Sequence, residues 1–194
     1  MSAPESPSAP VPVFNIANIL TMSRLVMVPL FVVFMFLPEP GWRYAAFAVF
    51  VVAAITDRVD GELARRRNLV TDFGKLADPI ADKALTGAAL VVLSLLGELW
   101  WWVTIAILVR EWGITVLRFA VIRYGVMPAS RGGKLKTVLQ IVAIAVYLFP
   151  LPEPLHLVAH VIMAAALVVT LVTGADYVQQ AIRLRRAARR DSDG

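Results

Sequence analysis

The stretch that decides the architecture reads TDRVDGELAR at residues 56–65 and, after a short basic link, GKLADPIAD at residues 74–82. Its carboxylates interrupt a sequence that is otherwise strongly apolar. A charged side chain at the centre of a membrane helix costs about 2.5–3.5 kcal/mol on insertion, so such residues mark a function or a partner. Because the link is short, the pattern predicts two antiparallel neighbouring helices whose acidic faces converge.

Each half of this acidic hairpin places its polar positions on one face of a helix. The spacing is i, i+3, i+4 in the first half and i, i+4, i+8 in the second, which is helical periodicity. The positions are Asp57, Asp60 and Gly61, followed by Gly74, Asp78 and Asp82. A glycine on each face leaves room for a ligand to approach the backbone.

The surrounding composition is that of a membrane protein. Of the 194 residues, 59% are hydrophobic and the mean hydropathy is +0.72, whereas a soluble domain is about 45–50% apolar. Several apolar segments reach the ~20 residues that cross a bilayer. The segments cover roughly residues 16–37, 43–65, 73–97, 99–123, 134–150 and 155–178. These patterns predict an all-α, polytopic membrane protein with six transmembrane helices.

Basic residues beside these segments predict the orientation. Arginines and lysines flank the second and fourth links and the end of the last segment, whereas the other links carry Glu39, Glu98 and Glu153. The positive-inside rule then puts both termini and the acidic hairpin on the cytoplasmic side, around a polar cavity that opens to the cytoplasm. The aromatic residues near 42–44 and 100–102 fall at the outer face, as in an aromatic belt.

The chain is interpreted as one domain with two tails. Residues 1–13 lack helical periodicity and predict a disordered tail. Residues 14–182 form the membrane domain, and residues 183–194 form a basic cytoplasmic tail. The net charge of +5 fits topology and anionic lipid better than nucleic acid, so we expect a lipid bilayer and no nucleic acid as partner. His156 and His160 are interpreted as interfacial residues.

Four carboxylates on two facing helices repel one another unless cations neutralise them. Oxygen ligands without histidine or cysteine favour Mg²⁺ or Mn²⁺ over zinc, so the sequence predicts a pair of these divalent cations. Salt bridges to Arg58, Arg65 or Lys83 stay open as an alternative. A divalent-cation transporter is another, because intramembrane carboxylates also mark ion pathways. It is less favoured, since the chain shows no internal repeat and its acids lie at one membrane face.

The acidic hairpin resembles a known signature. It fits the pattern D-x-x-D-G-x-x-A-R-x8-G-x3-D-x3-D of the CDP-alcohol phosphotransferases at every fixed position. Those positions are Asp57, Asp60, Gly61, Ala64, Arg65, Gly74, Asp78 and Asp82. The resemblance spans roughly residues 15–150. It implies an enzyme of the bacterial cell membrane that transfers a phosphatidyl group from a CDP-linked lipid to an alcohol.

Residue roles follow from this resemblance. Asp57 and Asp78 would bridge two divalent metals, with Asp60 completing one metal and Asp82 the other. Asp82 is also implied as the general base that takes the proton of the acceptor hydroxyl. The residues implied in binding CDP-diacylglycerol are Asn18, Thr21, Gly61, Ala64, Arg65, Thr71 and Gly74. Family members are commonly homodimers, so a homodimer is implied as well.

The acceptor is predicted from residues outside the acidic hairpin. The stretch NILTMSR at residues 18–24 resembles the start of bacterial phosphatidylglycerophosphate synthases, although Ala17 stands where those enzymes often have proline. Arg110-Glu111 and the run GKLKT at residues 133–137 resemble the same branch, which implies glycerol 3-phosphate as the acceptor. The predicted acceptor-phosphate ligands are Arg24, Arg110, Arg118, Lys134 and Lys136. Inositol phosphate and phosphatidylglycerol stay open as alternative acceptors.

Overall fold

Helices make up nearly all of the described chain. The computed structural model describes residues 16–66, 72–121 and 131–192, and within these ranges it contains six α-helices, one 3-10 turn and no strand. The helices are α1 (Ile16–Phe36), α2 (Pro40–Arg66), α3 (Asp72–Leu95), α4 (Trp101–Val121), α5 (Arg131–Leu148) and α6 (His156–Ser192). The all-α prediction is confirmed. The predicted segment boundaries agree with these helices to within three residues, except at the end of α6.

The last helix is longer than the apolar pattern predicted. α6 has 37 residues and ends at Ser192, whereas the apolar segment ended near residue 178. Hydrophobicity marks only the part of a helix that suits lipid. The residues that follow are mostly glutamine, alanine, leucine and arginine, which favour a helix without being apolar as a group. The cytoplasmic location of this basic segment stays a prediction.

The turn after α3 shows how the sequence ends a helix. Gly97 has a φ angle of 74°, in the left-handed region that favours glycine. The amide of Gly97 donates to the carbonyl of Ser94 at 3.1 Å, and the amide of Glu98 donates to that of Leu93 at 3.0 Å. This pair of bonds is the Schellman arrangement. The predicted boundary between the third and fourth apolar segments, near residues 97–99, is therefore confirmed.

The helices form two groups that pack together. α1 packs on α2 and α3, and α6 packs on α4 and α5. The groups meet where α2 contacts α5 and where α3 contacts both α4 and α5. The largest apolar side chains that are fully buried in this core are Phe31, Phe50, Leu90, Leu93, Ile107, Ile144 and Leu148. Their close contacts hold helices together even where lipid replaces water outside.

The two ends of the bundle differ in chemistry. Arg43, near the start of α2, contacts Glu98 after α3 and the carbonyls of Tyr147 and Leu148 at the end of α5. These contacts tie together one end of the bundle, which we name the Arg43 end. Because α2 runs from Arg43 towards the acidic motif, that motif lies at the opposite end, which we name the hairpin end.

Large apolar side chains cover the outside of the helices, including Val109, Phe119 and Leu157. Exposed apolar surface of this extent is typical of a membrane protein. Within the described residues, two helices are long and apolar enough to cross a membrane, over Ile19–Phe36 and His156–Arg186. Charged residues interrupt α2 and α4, and the apolar parts of α3 and α5 are shorter. The arrangement of six crossings therefore stays a prediction.

Candidate active site

The acidic motif lies on two helices in contact. Residues 57–65 fall in the last turns of α2 and residues 74–82 in the first turns of α3, and these helices touch. The prediction that both halves of the motif lie in helices is confirmed. The convergence of their carboxylates stays a prediction. Thr71 lies outside the described residues. The side chains of other predicted site residues also lie outside the described part of the structure: Asn18, Asp60, Gly61, Ala64, Arg65, Gly74, Asp78, Asp82 and Lys134.

Arg24 of α1 forms an ion pair with the first motif aspartate. Its Nη1 lies 2.6 Å from Oδ1 of Asp57, and the two side chains are 1% and 29% exposed. A buried guanidinium needs such a carboxylate, because either charge alone would lack compensation. Thr21, one turn earlier, is buried too. Arg24 was assigned to the acceptor phosphate; its described contact is with a predicted metal ligand, and its role towards the acceptor stays a prediction.

The chemistry of Asp57 fits the cation predicted for it. Its carboxylate is partly exposed, and a divalent ion is a hard cation that prefers such oxygens. The metal ion would share this carboxylate with the guanidinium of Arg24. Among the described side chains, no three histidines, cysteines or acids group together for a metal. Asp60, Asp78 and Asp82 are not among those side chains, so the pair of ions stays a prediction.

A second charged group lies between α4, α5 and α6. Oε1 of Glu111 accepts a hydrogen bond from Nη1 of Arg110 at 3.1 Å and another from Nζ of Lys136. The guanidinium carbons of Arg118 and Arg110 lie 4.7 Å and 5.9 Å from the ring centroid of Tyr177. We name these five residues the cation cluster. It brings together three of the five predicted acceptor ligands.

The electrostatics of the cation cluster favour an anion. Its described contacts bring three cations to one carboxylate and one aromatic ring. Like charges held close together raise one another's energy, and a bound anion offsets that repulsion. The side chains of Arg110 and Lys136 are only 10% and 8% exposed, so water screens them weakly. Guanidinium groups in such a setting suit a phosphate, whose oxygens accept their hydrogen bonds in pairs.

No prediction from the sequence included α6 in the site. Arg110 donates from Nε to the carbonyl of Thr170 at 3.0 Å and from Nη2 to Oγ1 of Thr173 at 2.8 Å. Both threonines are buried. A signal was present, since they are spaced by three in an apolar helix, with Tyr177 one turn further on. Polar side chains inside an apolar helix tend to face protein or a cavity, which marks both threonines as candidates.

The Arg43 end holds a charged group of another kind. Nη1 of Arg43 donates to Oε1 of Glu98 at 2.7 Å, and Nη2 contacts the other carboxylate oxygen. The guanidinium also donates to the carbonyls of Tyr147 at 3.0 Å and Leu148 at 3.1 Å. One cation thus meets one carboxylate through two bonds, which is the strong bidentate geometry. The group joins three parts of the chain at this end.

Both histidines lie beside this group and line a cavity of about 560 Å³. His156 and His160 are exposed. A ring nitrogen of His156 lies 3.1 Å from the carbonyl oxygen of Leu151, and one of His160 lies 2.7 Å from the carbonyl oxygen of His156. Each ring is therefore engaged with the backbone at the surface of the bundle.

Comparison with known proteins supplies the family. Residues 14–172 match the family model described as CDP-alcohol phosphatidyltransferase. The chain belongs to this family. The resemblance inferred from the acidic hairpin is confirmed. The match extends from the start of α1 into α6 and ends just before Thr173.

Relatives within the family align over most of this chain. The probable phosphatidylglycerophosphate synthase of Mycobacterium tuberculosis (strain ATCC 25618 / H37Rv) is 56% identical over 172 residues, which cover 87% of this chain and 82% of the relative. The CDP-diacylglycerol–glycerol-3-phosphate 3-phosphatidyltransferase of Bacillus subtilis (strain 168) is 36% identical over 84% of this chain and 93% of its own length. The enzyme of the same name from Escherichia coli (strain K12) is 41% identical over 140 residues, which cover 68% of this chain and 75% of the relative.

Proposed function

We propose that this chain transfers the phosphatidyl group of CDP-diacylglycerol to glycerol 3-phosphate, giving phosphatidylglycerol phosphate and CMP. The observation that carries the proposal is the 56% identity over 87% of the chain to a relative named for this synthesis. The cation cluster supports a phosphorylated acceptor, because it gathers Arg110, Arg118 and Lys136 close together. Glu111 supplies one negative charge to this group, and the phosphate of the acceptor would supply more.

In the proposed reaction a hydroxyl oxygen of glycerol 3-phosphate bonds to the phosphorus that carries the diacylglycerol. The bond from that phosphorus to the oxygen of CMP breaks, and CMP leaves with the bonding electrons. Asp82 takes the proton of the attacking hydroxyl. Arg65 binds the diphosphate of the donor through its planar fork. Arg110, Arg118 and Lys136 bind the phosphate that the acceptor keeps.

Two divalent cations, Mg²⁺ or Mn²⁺, form part of the same proposal. The proposed ligands are Asp57, Asp60, Asp78 and Asp82. When bound, the cations neutralise the diphosphate and stabilise the charge on the departing CMP. The oxygen chemistry of these carboxylates supports the assignment, because hard divalent cations prefer oxygen ligands.

The proposed setting is a bacterial plasma membrane crossed six times, with the hairpin end in the cytoplasm. The basic residues beside the hairpin link and in the C-terminal segment support this orientation. Glycerol 3-phosphate is charged and arrives from water, so the proposed site has to open to an aqueous side. The homodimer that the family resemblance implies is also part of the proposal.

The test is an acceptor panel with the purified full chain. We would incubate it with labelled CDP-diacylglycerol, Mg²⁺ or Mn²⁺, and either glycerol 3-phosphate, glycerol, inositol phosphate or phosphatidylglycerol. CMP release and a labelled lipid product are expected with glycerol 3-phosphate only. Asp82→Asn serves as the control, with no CMP release from any acceptor. Equal use of glycerol or inositol phosphate would contradict the proposed acceptor while leaving the family assignment intact.

A further inference from the structure

One face of α6 contacts the cation cluster. It consists of Thr170, Thr173, Gly174 and Tyr177, and we name it the α6 face. All four residues are buried. The family match ends at residue 172, so most of the α6 face lies beyond the part of the chain that the family describes.

Thr173 presents an acceptor to Arg110. Its hydroxyl donates to the main chain of its own helix, with the carbonyl oxygens of Val169 and Thr170 at 2.7 Å and 3.1 Å. The hydroxyl oxygen can therefore accept the bond from Nη2 of Arg110 at 2.8 Å. The carbonyl of Thr170 accepts from Nε of the same guanidinium at 3.0 Å. Two bonds from one planar group to one helix fix the plane of that group.

Gly174 allows the side chain of Arg110 to lie against α6. A Cβ built at this position would stand 3.1 Å from Cγ and 3.3 Å from Nε of Arg110. These distances are shorter than ordinary van der Waals contact, so any larger residue would push the arginine away from the helix. The absence of a side chain at Gly174 sets how close Arg110 comes to Thr170 and Thr173.

The ring of Tyr177 lies close to both arginines of the cation cluster. Its side chain is 3% exposed, and its ring faces the guanidinium groups of Arg118 at 4.7 Å and Arg110 at 5.9 Å. The negative face of an aromatic ring attracts cations. One ring therefore helps to fix the positions of two guanidinium groups, each of which can donate hydrogen bonds to phosphate oxygens.

We propose that the α6 face positions Arg110 and Arg118 for the phosphate of the acceptor. Thr173, Gly174 and Tyr177 act through the two arginines and are positioning residues. The inference rests on the proposed function, because it takes the acceptor to carry a phosphate. The positions of the two arginines matter, since a displacement of a binding group by about 1 Å can cost on the order of 100-fold in rate.

The experiment compares variants of the α6 face in the full chain. Thr173→Val removes the hydroxyl at nearly constant volume, and Tyr177→Leu removes the ring. Gly174→Ala adds the Cβ that displaces Arg110. Each should raise the KM for glycerol 3-phosphate by about 3- to 10-fold, the effect of one hydrogen bond or cation–ring contact. The KM for CDP-diacylglycerol should stay within about twofold, because the donor is bound by other residues.

Matched variants separate positioning from folding. Thr173→Ser keeps the hydroxyl and Tyr177→Phe keeps the ring, so both should retain the original KM for the acceptor. Thr104→Val is the control for loss of a buried threonine hydroxyl elsewhere, since Thr104 bonds to Ser94 between α3 and α4. It should lower thermal stability without changing the KM for the acceptor. In an Arg110→Ala background, Thr173→Val should have no further effect on that KM.

The outcomes distinguish this inference from the function on which it rests. If Arg110→Ala leaves the KM for glycerol 3-phosphate unchanged, the proposed acceptor site is wrong and the inference fails with it. If Arg110→Ala raises this KM while all three α6 variants leave it unchanged, the inference alone is overturned. Parallel rises in the KM values of both substrates would also overturn it, because they indicate a general disturbance of the fold.

Discussion

The Arg43 end and the cation cluster use the same residue types in opposite ways. At the Arg43 end, one arginine meets one glutamate through two contacts and also bonds to two main-chain carbonyls. In the cation cluster, Glu111 is shared by Arg110 and Lys136, and the ring of Tyr177 is shared by Arg110 and Arg118. The first group pairs its charges one to one, whereas the second gathers cations.

This difference distinguishes a structural ion pair from the proposed acceptor site. A balanced pair that joins three parts of the chain stabilises the fold and has little to offer a ligand. Cations that are gathered and held by neutral groups of α6 gain further stabilisation when an anion arrives. Substitutions of the same type at the two places should therefore have effects of different kinds, on stability at the Arg43 end and on catalysis or acceptor binding elsewhere.

The largest difference in kcat is expected between Asp57→Asn in the acidic hairpin and Glu98→Gln at the Arg43 end, which both change a carboxylate to an amide. Asp57→Asn should lower kcat by roughly 1000-fold, because a bridging metal ligand controls several kcal/mol of charge stabilisation. Asp78→Asn should behave in the same way, and Asp60→Asn should be milder. Glu98→Gln, the matched change at the Arg43 end, should keep kcat within about threefold. The rate of labelled CMP release measures kcat for all four variants.

Removal of divalent cations tests the proposed metal site directly. Exhaustive treatment with EDTA should abolish CMP release, and Mg²⁺ or Mn²⁺ should restore it, because only oxygen ligands are proposed in the hairpin. Zn²⁺ should restore it poorly. Full turnover after such treatment would rule out the two-metal proposal.

The next effect concerns acceptor affinity. Arg110→Ala or Lys136→Ala should raise the KM for glycerol 3-phosphate by about 10- to 150-fold, since a charged hydrogen bond contributes about 1.5–3 kcal/mol. Arg43→Ala, the matched arginine at the other end, should leave that KM unchanged. Steady-state kinetics with each substrate varied in turn measures both. A rise in the KM for CDP-diacylglycerol instead would place Arg110 and Lys136 in the nucleotide site.

A smaller effect is expected on stability. Arg43→Met should lower the free energy of unfolding by about 1–2 kcal/mol, because Glu98 and two main-chain carbonyls lose a hydrogen-bond donor. Thermal unfolding in detergent would show it as a lower midpoint, with kinetic constants retained at low temperature. If the midpoint is unchanged while acceptor binding weakens, the two groups are not separated in the way that their contacts indicate.

The smallest change in activity is expected for three cysteine substitutions, which test how the two ends of the bundle are oriented across the membrane. The sequence contains no cysteine, so Asn68→Cys, Ala129→Cys and Pro152→Cys each introduce a single thiol. Activity should stay within about twofold, because none of the three residues is assigned to the proposed site. An impermeant thiol reagent should label Pro152→Cys in intact cells and the other two only after lysis. Labelling of Asn68→Cys from outside would invert the proposed orientation.

Local features of the fold were predictable from the sequence. Apolar runs are a local signal, and they placed most helix boundaries correctly. The family followed from fixed residues within one hairpin. Arg110 and Lys136 were predicted to serve one site, and the structure brings both to Glu111. Their binding of phosphate stays a prediction.

Contacts between distant helices were not predictable in the same way. The ion pair of Arg24 with Asp57 and the bonds of Arg110 to α6 join residues far apart in the chain, up to 63 positions in the case of Thr173. In a soluble protein, the apolar face of a helix tells which side is buried. Here the outer surface is apolar as well, so periodicity does not show which face of α1 or α6 points inward.

The length of α6 has a mechanical consequence. At about 1.5 Å per residue, its 37 residues form a rod of roughly 55 Å, whereas the hydrocarbon layer of a bilayer is only about 30 Å thick. In the proposed membrane setting, close to half of the rod would project beyond the hydrocarbon. Arg183, Arg185 and Arg186 lie exposed along that projection. Their charges are spaced at the fixed rise of a helix, so in that setting this part of the chain would present a stiff, positively charged arm to the lipid headgroups.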